Sequence, residues 1–382
     1  MRQDLARTVA IVGVAESDQV GVTPNKSALQ HHAEAAYNAL ADAGLSVKDV
    51  DGLFTAGLST LTTAEYLGIN PRYSDSTSIG GSSFVVHIGH ALAAINAGYC
   101  ELALITHGQI GRSSRGSGGG QDETFPVSQF EAPYGIVGAP INYAIACSRY
   151  MHVYGEDRTR QALAEIAVAT RKWAQLNPKA MMRAPMSFDD YHNSRWIAWP
   201  FHLLDCCLVT DAGAAVVVAK ADRARDLPKK PVWVLGAAEY HDHSLMSQMP
   251  DLTVHPARDA GQRAFEMAGL KPDDIDLAMI YDSFTYTVLM SLESLGFCGP
   301  GEGPDFVWNQ RTAPGGEFAL NTSGGGLSYT HPGMYGIFLV VEAVRQLRGE
   351  CGERQLANCR IALANGSGGS LSSAGTAILA ID

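Results

Sequence analysis

Two stretches of this 382-residue chain resemble each other, ADAGLSVKDVD at residues 41–51 and FEMAGLKPDDID at residues 265–276. Each pattern predicts a helix that ends at Ala-Gly-Leu, a short turn, and an aspartate just before a strand. Gly44 and Gly269 stand where the residue after a helix takes a positive φ. Similarity at such a distance along the chain indicates an internal duplication.

A second pair of helix ends supports the duplication, because Asn96-Ala97-Gly98 matches Leu347-Arg348-Gly349. The sequence therefore predicts two similar halves, residues 1–225 and 226–382. The first half carries a loop insertion at about residues 109–201, which includes a Gly/Ser-rich stretch that we interpret as a flexible loop. A loop region this long in a compact fold is usually a lid or a binding segment.

Short apolar runs alternate with helical patterns along the whole chain. Continuous apolar runs are typical of strands buried on both faces, and their alternation with helices predicts an α/β fold with mostly parallel sheet. The expected strands are Thr8–Val14, Leu102–Thr106, Ala214–Ala219, Val232–Leu235, Leu277–Tyr281, Arg360–Ala364 and Thr376–Ile381. The expected helices are Ala28–Ala43, His87–Ala97, Arg160–Leu176, Arg258–Ala268 and Met334–Leu347.

The composition excludes several classes of function. The net charge of −11, without a basic run, argues against binding to nucleic acid or to an anionic membrane surface. No apolar run approaches the ~18 residues that cross a bilayer, and the N-terminus lacks the apolar core of a signal peptide, so we expect a cytoplasmic protein. The seven cysteines show no CxxC spacing, which predicts reduced thiols and no metal site. Adjacent Cys206 and Cys207 are interpreted as small core residues.

Four segments, in order and at sensible spacing, resemble the thiolase superfamily, specifically its sterol-carrier-protein-X-like branch. They are SIGGSSF at residues 78–84, LLDCCLVTDAGAA at 203–215, YDSF at 281–284, and LNTSGG at 320–325 followed by HPG at 331–333. The resemblance covers essentially the whole chain. It implies a duplicated thiolase fold with two mixed sheets in a five-layer αβαβα arrangement, an active site between the halves, and a homodimer.

The departures from the thiolase pattern change the expected chemistry. Thiolases place a nucleophilic cysteine at the N-terminus of the helix that ends here at Gly98, a position that favours the thiolate. Counting back from Gly98 gives Gly81, or Ser78 in a looser register, and neither is a cysteine. The second thiolase cysteine is also missing, because its segment reads ANGSGG at residues 364–369. A covalent acyl-cysteine is therefore not expected.

The remaining candidates for acid/base chemistry are Tyr281 and His331. The resemblance implies a tyrosine acid/base, as in the aldolases of steroid side-chain degradation, whereas His331 keeps the thiolase residue. Tyr281 would be the main acid/base, and His331 would assist or hold the thioester oxygen. Asp282 is a third catalytic candidate that either orients the tyrosine or fixes a turn.

Five further residues are expected to contact substrate. Gly81 lets substrate approach the backbone closely. The glycine-rich segments 324–326 and 366–369 would offer N–H groups to a developing enolate oxygen. The candidates in and beside them are Asn321, Gly325, Asn365 and Ser367.

The predicted function is that of a thiolase-like acyl-CoA aldolase, a C–C lyase that cleaves or forms a C–C bond in a β-hydroxyacyl-CoA. No cofactor is expected, since the coenzyme A thioester is the substrate. The resemblance also implies a small OB-fold, zinc-ribbon partner protein. Two alternatives stay open. One is an acyltransferase or thiolase with an unusual nucleophile, and the other is a non-catalytic subunit that binds lipid-CoA.

Overall fold

A computed structural model describes residues 3–114 and 124–382 of the chain. Residues 116–120, interpreted above as a flexible loop, lie outside the described residues. The strands are β1 (Val9–Glu16), β2 (Gly52–Thr55), β3 (Tyr73–Asp75), β4 (Leu102–Ile110), β5 (Trp196–Ala198), β6 (Phe201–His202), β7 (Asp211–Lys220), β8 (Val232–His241), β9 (Leu277–Ile280), β10 (Ala319–Leu320), β11 (Ile361–Gly368) and β12 (Ser373–Ala380).

The helices alternate with these strands as the sequence predicted. They are α1 (Ala28–Asp42), α2 (Thr60–Leu67), α3 (Ser83–Asn96), α4 (Pro126–Phe130), α5 (Ala139–Tyr154), α6 (Glu156–Gln175), α7 (Phe188–His192), α8 (Ala221–Arg225), α9 (Ala257–Ala268), α10 (Thr285–Ser294), α11 (Gly303–Val307) and α12 (Gly336–Arg348). All seven expected strands and all five expected helices are confirmed, with shifted ends. Gly44 and Gly269 have the positive φ that their helix ends required, +71° and +66°.

The strand order repeats between the two parts of the chain. The order is β3-β2-β4-β7-β1 in the first part and β10-β9-β11-β12-β8 in the second. In each set the first three strands run parallel to one another and the last two pair antiparallel. Each set is thus a mixed sheet, and a short antiparallel pairing of β1 with β8 joins the two sets edge to edge. The boundary between residues 225 and 226 stays a prediction.

The layers follow from which strands each helix covers. Helix α1 packs on β1, β4 and β7, and α9 packs on β8 and β12. Helices α3 and α12 lie between the two sets of strands and contact both. Their apolar side chains form one core with the inner faces of both sheets, including Phe84, Ile88 and Phe338. The arrangement is α1, sheet, α3 with α12, sheet, α9, which is the five-layer αβαβα order.

The central helix α3 positions the site, and it starts earlier than expected. It begins at Ser83 instead of His87, so Gly81 lies two residues before its first turn. The insertion also contains elements that the sequence pattern did not predict, among them α5 and the β5–β6 hairpin. None of the helices in residues 3–114 and 124–382 is both long enough and apolar enough to cross a membrane.

Candidate active site

A cavity of about 450 Å³ lies between the two halves. It is lined from the first half by the start of α3 and by the insertion, and from the second half by the ends of β9 and β11. Four of the eight predicted site residues line it, namely Gly81, Tyr281, His331 and Ser367. Apolar residues complete the wall, from the insertion Ala139, Pro140 and Ile197, and from the segment after it Leu203 and Val209.

Tyr281 follows β9 directly and is held at both ends. Its backbone N–H donates to the carbonyl of Asn365 on β11 at 2.9 Å. Its hydroxyl oxygen Oη accepts from the N–H of Tyr335 at 3.0 Å and lies 2.9 Å from Nε2 of His331. The ring also packs edge-on against the rings of His331 and Tyr335. These contacts leave the phenol one orientation in the cavity wall.

His331 is fixed by Thr210, which stands just before β7. The N–H of His331 donates to the Thr210 hydroxyl at 2.9 Å, and the N–H of Thr210 donates to the His331 carbonyl at 3.1 Å. This double contact joins the two halves at the site. It aims the imidazole at the phenol of Tyr281.

Burial sets the protonation states of this pair. It raises the pKa of Tyr281 well above 10, with Cys207 adding to the effect, and it lowers the pKa of His331 to about 4. At neutral pH the phenol is therefore protonated and the imidazole is neutral. Because Oη already accepts from Tyr335, its hydrogen is assigned to Nε2 of His331, the nearer of its two acceptors. The pair can pass a proton from the phenol to the imidazole.

Gly81 is the reason that the phenol fits. A Cβ atom on residue 81 would lie 2.3 Å from Cε2 of Tyr281 and 2.6 Å from both Cζ and Oη. Carbon atoms in van der Waals contact stand ≈ 3.5–4.0 Å apart, so no side chain at residue 81 can coexist with this ring position. The phenol thus occupies the space just before α3 that a side chain at residue 81 would otherwise fill.

The other four predicted residues lie outside the cavity lining. The Asp282 carboxylate accepts from the N–H groups of Gly326 and Leu327, at 2.7 and 3.1 Å, and is fully buried. Burial raises its pKa to about 7, although these two donors oppose the rise. Gly325 packs so closely on this carboxylate that a Cβ there would lie 1.9 Å from Oδ2. Of the two roles foreseen for Asp282, the contacts are those of a residue that fixes a turn.

Asn321 and Asn365 support the strands behind Tyr281. Oδ1 of Asn321 accepts from the N–H of Ile280 at 2.8 Å, and Oδ1 of Asn365 accepts from the Thr376 hydroxyl at 2.9 Å. The N–H groups of residues 324–326 already donate to protein oxygens, at 2.9, 3.2 and 2.7 Å. They are therefore not free to hold an enolate oxygen. Substrate contact by Asn321, Gly325 and Asn365 stays a prediction.

Cys206 and Cys207 correct the sequence interpretation, because both line the cavity and neither is a plain core residue. Burial, with help from Asp205, raises the pKa of Cys206 to about 12. Burial and the nearby Asp282 raise the pKa of Cys207 well above its usual range. Both thiols stay protonated at neutral pH, and a protonated thiol is a weak nucleophile.

Two hydroxyl residues of the cavity were missed by the sequence analysis. Ser283 lines the wall two residues after Tyr281. Side chains two apart in an extended segment share a face, so this residue could have been found from its spacing. Tyr143 comes from α5 in the insertion, where the sequence held no comparable signal.

Comparison with known proteins agrees with the fold. Residues 238–381 match the family described as thiolase C-terminal domain-like. The chain is 37% identical to the 17-hydroxy-3-oxo-4-pregnene-20-carboxyl-CoA lyase of Mycobacterium tuberculosis, over 90% of this chain and 92% of that protein. It is also 37% identical to a steroid side-chain-cleaving aldolase of Thermomonospora curvata, over 90% of each chain.

The chain belongs to the thiolase-like aldolases. The solved structure of an Ltp2-ChsH2(DUF35) aldolase matches over 99% of both chains, with a TM-score of 0.89 and 33% identity. Like other thiolase-like aldolases, the protein is a C–C lyase of the thiolase superfamily that acts on acyl-CoA. The fold, the family and the reaction class expected from the sequence are confirmed.

Proposed function

We propose that this aldolase cleaves the side chain of a steroid β-hydroxyacyl-CoA, with Tyr281 and His331 as its acid/base pair. One observation carries the assignment of residues. The phenol of Tyr281 stands before α3 against Gly81, with its oxygen 2.9 Å from a neutral imidazole. The names of the two relatives described above support a steroid substrate and the cleavage direction.

The bond-breaking step uses the pair as a proton relay. Oη of Tyr281 takes the proton of the substrate β-hydroxyl while its own proton passes to Nε2 of His331. The oxygen electrons form the new carbonyl, and the Cα–Cβ bond breaks. Its electron pair becomes the enolate of the thioester, which then takes a proton back through the same relay. Atoms and charge balance without any cofactor.

Substitution of Tyr281 by phenylalanine tests this assignment. It removes the hydroxyl with little change of volume. Since general acid/base catalysis contributes about 10²–10⁴-fold, we expect kcat for release of the ketone or aldehyde to fall by at least about 100-fold. Tyr286→Phe is the matched control, because Tyr286 is fully buried on α10, outside the cavity lining, and donates to the Leu252 carbonyl at 3.2 Å. Undiminished cleavage by Tyr281→Phe would reject the assignment.

Because two thiols line the cavity, the same protein preparation should also be tested for a covalent acyl-enzyme. Because both thiols are protonated, the intact mass of the protein should stay unchanged after incubation with acyl-CoA. A stable gain equal to the acyl group, mapped to Cys206 or Cys207, would support the acyltransferase alternative instead.

The assembly is also part of the proposal. We infer a homodimer that works with a small OB-fold, zinc-ribbon partner protein. The solved Ltp2-ChsH2(DUF35) aldolase is named for two components, which supports a two-protein enzyme. Light scattering of the purified chain and cleavage assays with and without the co-expressed partner test both points. The cytoplasmic location expected from the sequence stays a prediction.

A further inference from the structure

A second group of polar side chains lines the cavity apart from the Tyr281–His331 pair. It consists of the hydroxyls of Tyr143, Ser283 and Ser367. Tyr143 donates its hydrogen to the Gly369 carbonyl at 3.2 Å, and Ser283 shares a hydrogen bond of 3.0 Å with Thr287. Each of these two hydroxyls has a hydrogen-bond acceptor within the protein, whereas the partner of the Ser367 hydroxyl is the imidazole of His255.

Ser367 is contacted by a histidine whose tautomer the backbone determines. Nδ1 of His255 accepts from the N–H of Ala257 at 3.1 Å, so this nitrogen carries no hydrogen in the neutral ring. The hydrogen is then on Nε2, which lies 2.9 Å from Oγ of Ser367. His255 is fully buried and stands just before α9, with its own N–H donating to Ser294. The imidazole is therefore a fixed donor to Ser367.

Because His255 is a fixed donor, the Ser367 hydroxyl can itself act as a donor to another group. Because Oγ accepts from His255, its own hydrogen is available to an acceptor on the cavity side. A substrate oxygen that enters the cavity lined by Ser367 can be that acceptor.

A β-hydroxyacyl thioester has two oxygens that need different partners. The β-hydroxyl needs the group that accepts its proton, which is the Tyr281–His331 pair. The thioester oxygen gains negative charge as the enolate forms and needs a hydrogen-bond donor already in position. The N–H groups of residues 324–326 are occupied, as described above.

We propose that Ser367 donates its hydroxyl hydrogen to the thioester carbonyl oxygen of the substrate, and that His255 is the positioning residue that orients this hydroxyl. The inference rests on the proposed acyl-CoA lyase function. It makes Ser367 a catalytic residue of the enolate-forming step and gives a buried histidine outside the cavity lining a role in the reaction.

The first test uses kinetics with the full-length protein. Ser367→Ala should lower kcat by about 100-fold, the lower end of the effect of losing one oxyanion donor, with a smaller change in KM. Ser291→Ala is the control, because the Ser291 hydroxyl is buried on α10, outside the cavity lining, without a partner among the described residues. Its kcat should stay close to that of the unchanged protein.

The positioning role of His255 needs a conservative and a disruptive variant. His255→Gln keeps an N–H group near the place of Nε2 and should retain most of the activity, whereas His255→Leu should approach the loss seen for Ser367→Ala. Adding His255→Leu to Ser367→Ala should cause little further loss, since both changes remove the same hydrogen bond. Full additivity of the two losses would overturn the positioning role.

An infrared measurement separates this proposal from the cleavage reaction itself. An acyl-CoA without the β-hydroxyl, labelled with ¹³C at the thioester carbonyl, is bound to each variant. Ser367→Ala should shift the carbonyl stretch to higher frequency, and Tyr281→Phe should leave it unchanged. If the frequency of the carbonyl stretch is unchanged by Ser367→Ala, the role of Ser367 is overturned, even if cleavage requires Tyr281. Conversely, if Ser367→Ala shifts the carbonyl stretch but the unchanged protein cleaves no β-hydroxyacyl-CoA, the Ser367 contact is supported and the lyase assignment is rejected.

Discussion

The contact between Gly81 and Tyr281 allows a test of the site by a single methyl group. Gly81→Ala places a Cβ 2.3 Å from Cε2 of the phenol and 2.6 Å from its oxygen. The overlap with ordinary carbon contacts exceeds ~1 Å, so the ring has to move by about that distance. It cannot do so freely, because Tyr335 and His331 hold its oxygen and the ring is buried.

The size of the effect follows from these contacts. Forcing one extra methyl group into a packed site costs about 1–3 kcal/mol, which a protein of this size can tolerate. A displacement of about 1 Å of a catalytic group can cost about 10²-fold in rate. We therefore expect Gly81→Ala to fold, with the free energy of unfolding lowered by about 1–3 kcal/mol and kcat lowered by about 100-fold.

The assay is release of the carbonyl product from a β-hydroxyacyl-CoA, followed together with urea unfolding. Gly89→Ala, on the helix α3 that follows Gly81, is the control, because its Cβ would lie 3.4 Å from that of Ala237, an ordinary contact. It should keep its activity and gain slightly in stability from the better helix propensity of alanine. In the Tyr281→Phe background, Gly81→Ala should reduce activity little further. A Gly81→Ala protein that cleaves as fast as the Gly89→Ala control would refute the reasoning.

Two pH-dependent predictions follow from other buried groups. Glu16 binds Arg345 through both carboxylate oxygens, at 2.5 and 2.6 Å, and Lys179 at 3.0 Å; burial alone would raise its pKa, but these two cations bring it well below 4.5. Glu16→Gln should therefore lower the free energy of unfolding at pH 7 by about 3–5 kcal/mol. This difference between the two proteins should shrink as the pH falls below about 4.5, because the unfolded chain takes up the proton first. Urea titrations that give the same difference at pH 7 and at pH 3.5 would contradict this prediction. The pKa of His331 is lowered to about 4, so its imidazole stays neutral and basic well below pH 6.5. The acid limb of the pH profile of kcat/KM should therefore lie near pH 4. An acid limb between pH 6 and 7 would show that His331 is not the proton acceptor of Tyr281.

The sequence alone determined the duplicated α/β architecture. Apolar runs and helix-ending glycines such as Gly44 and Gly269 are local signals, since each depends on residues a few positions apart. The resemblance of four of its segments to the thiolase superfamily implied the reaction class, since residue 81 is not a cysteine and the YDSF segment supplies a phenol. The sequence patterns did not predict the short strands β2, β3 and β10, the helices α2, α8, α10 and α11, and the elements of the insertion other than α6. These elements are short or of mixed polarity, so they carry little periodicity.

The tertiary structure decided how the site residues face one another. Tyr281 and Asp282 are neighbours in sequence, yet one lines the cavity and the other holds a glycine-rich turn behind it, since successive side chains of an extended segment point to opposite sides. Cys206 and Cys207 have the composition of a core segment but line the cavity. Gly81 meets Tyr281 only because α3 is packed between both sheets. Contacts between residues so distant along the chain depend on the packing of whole layers, which no local pattern encodes.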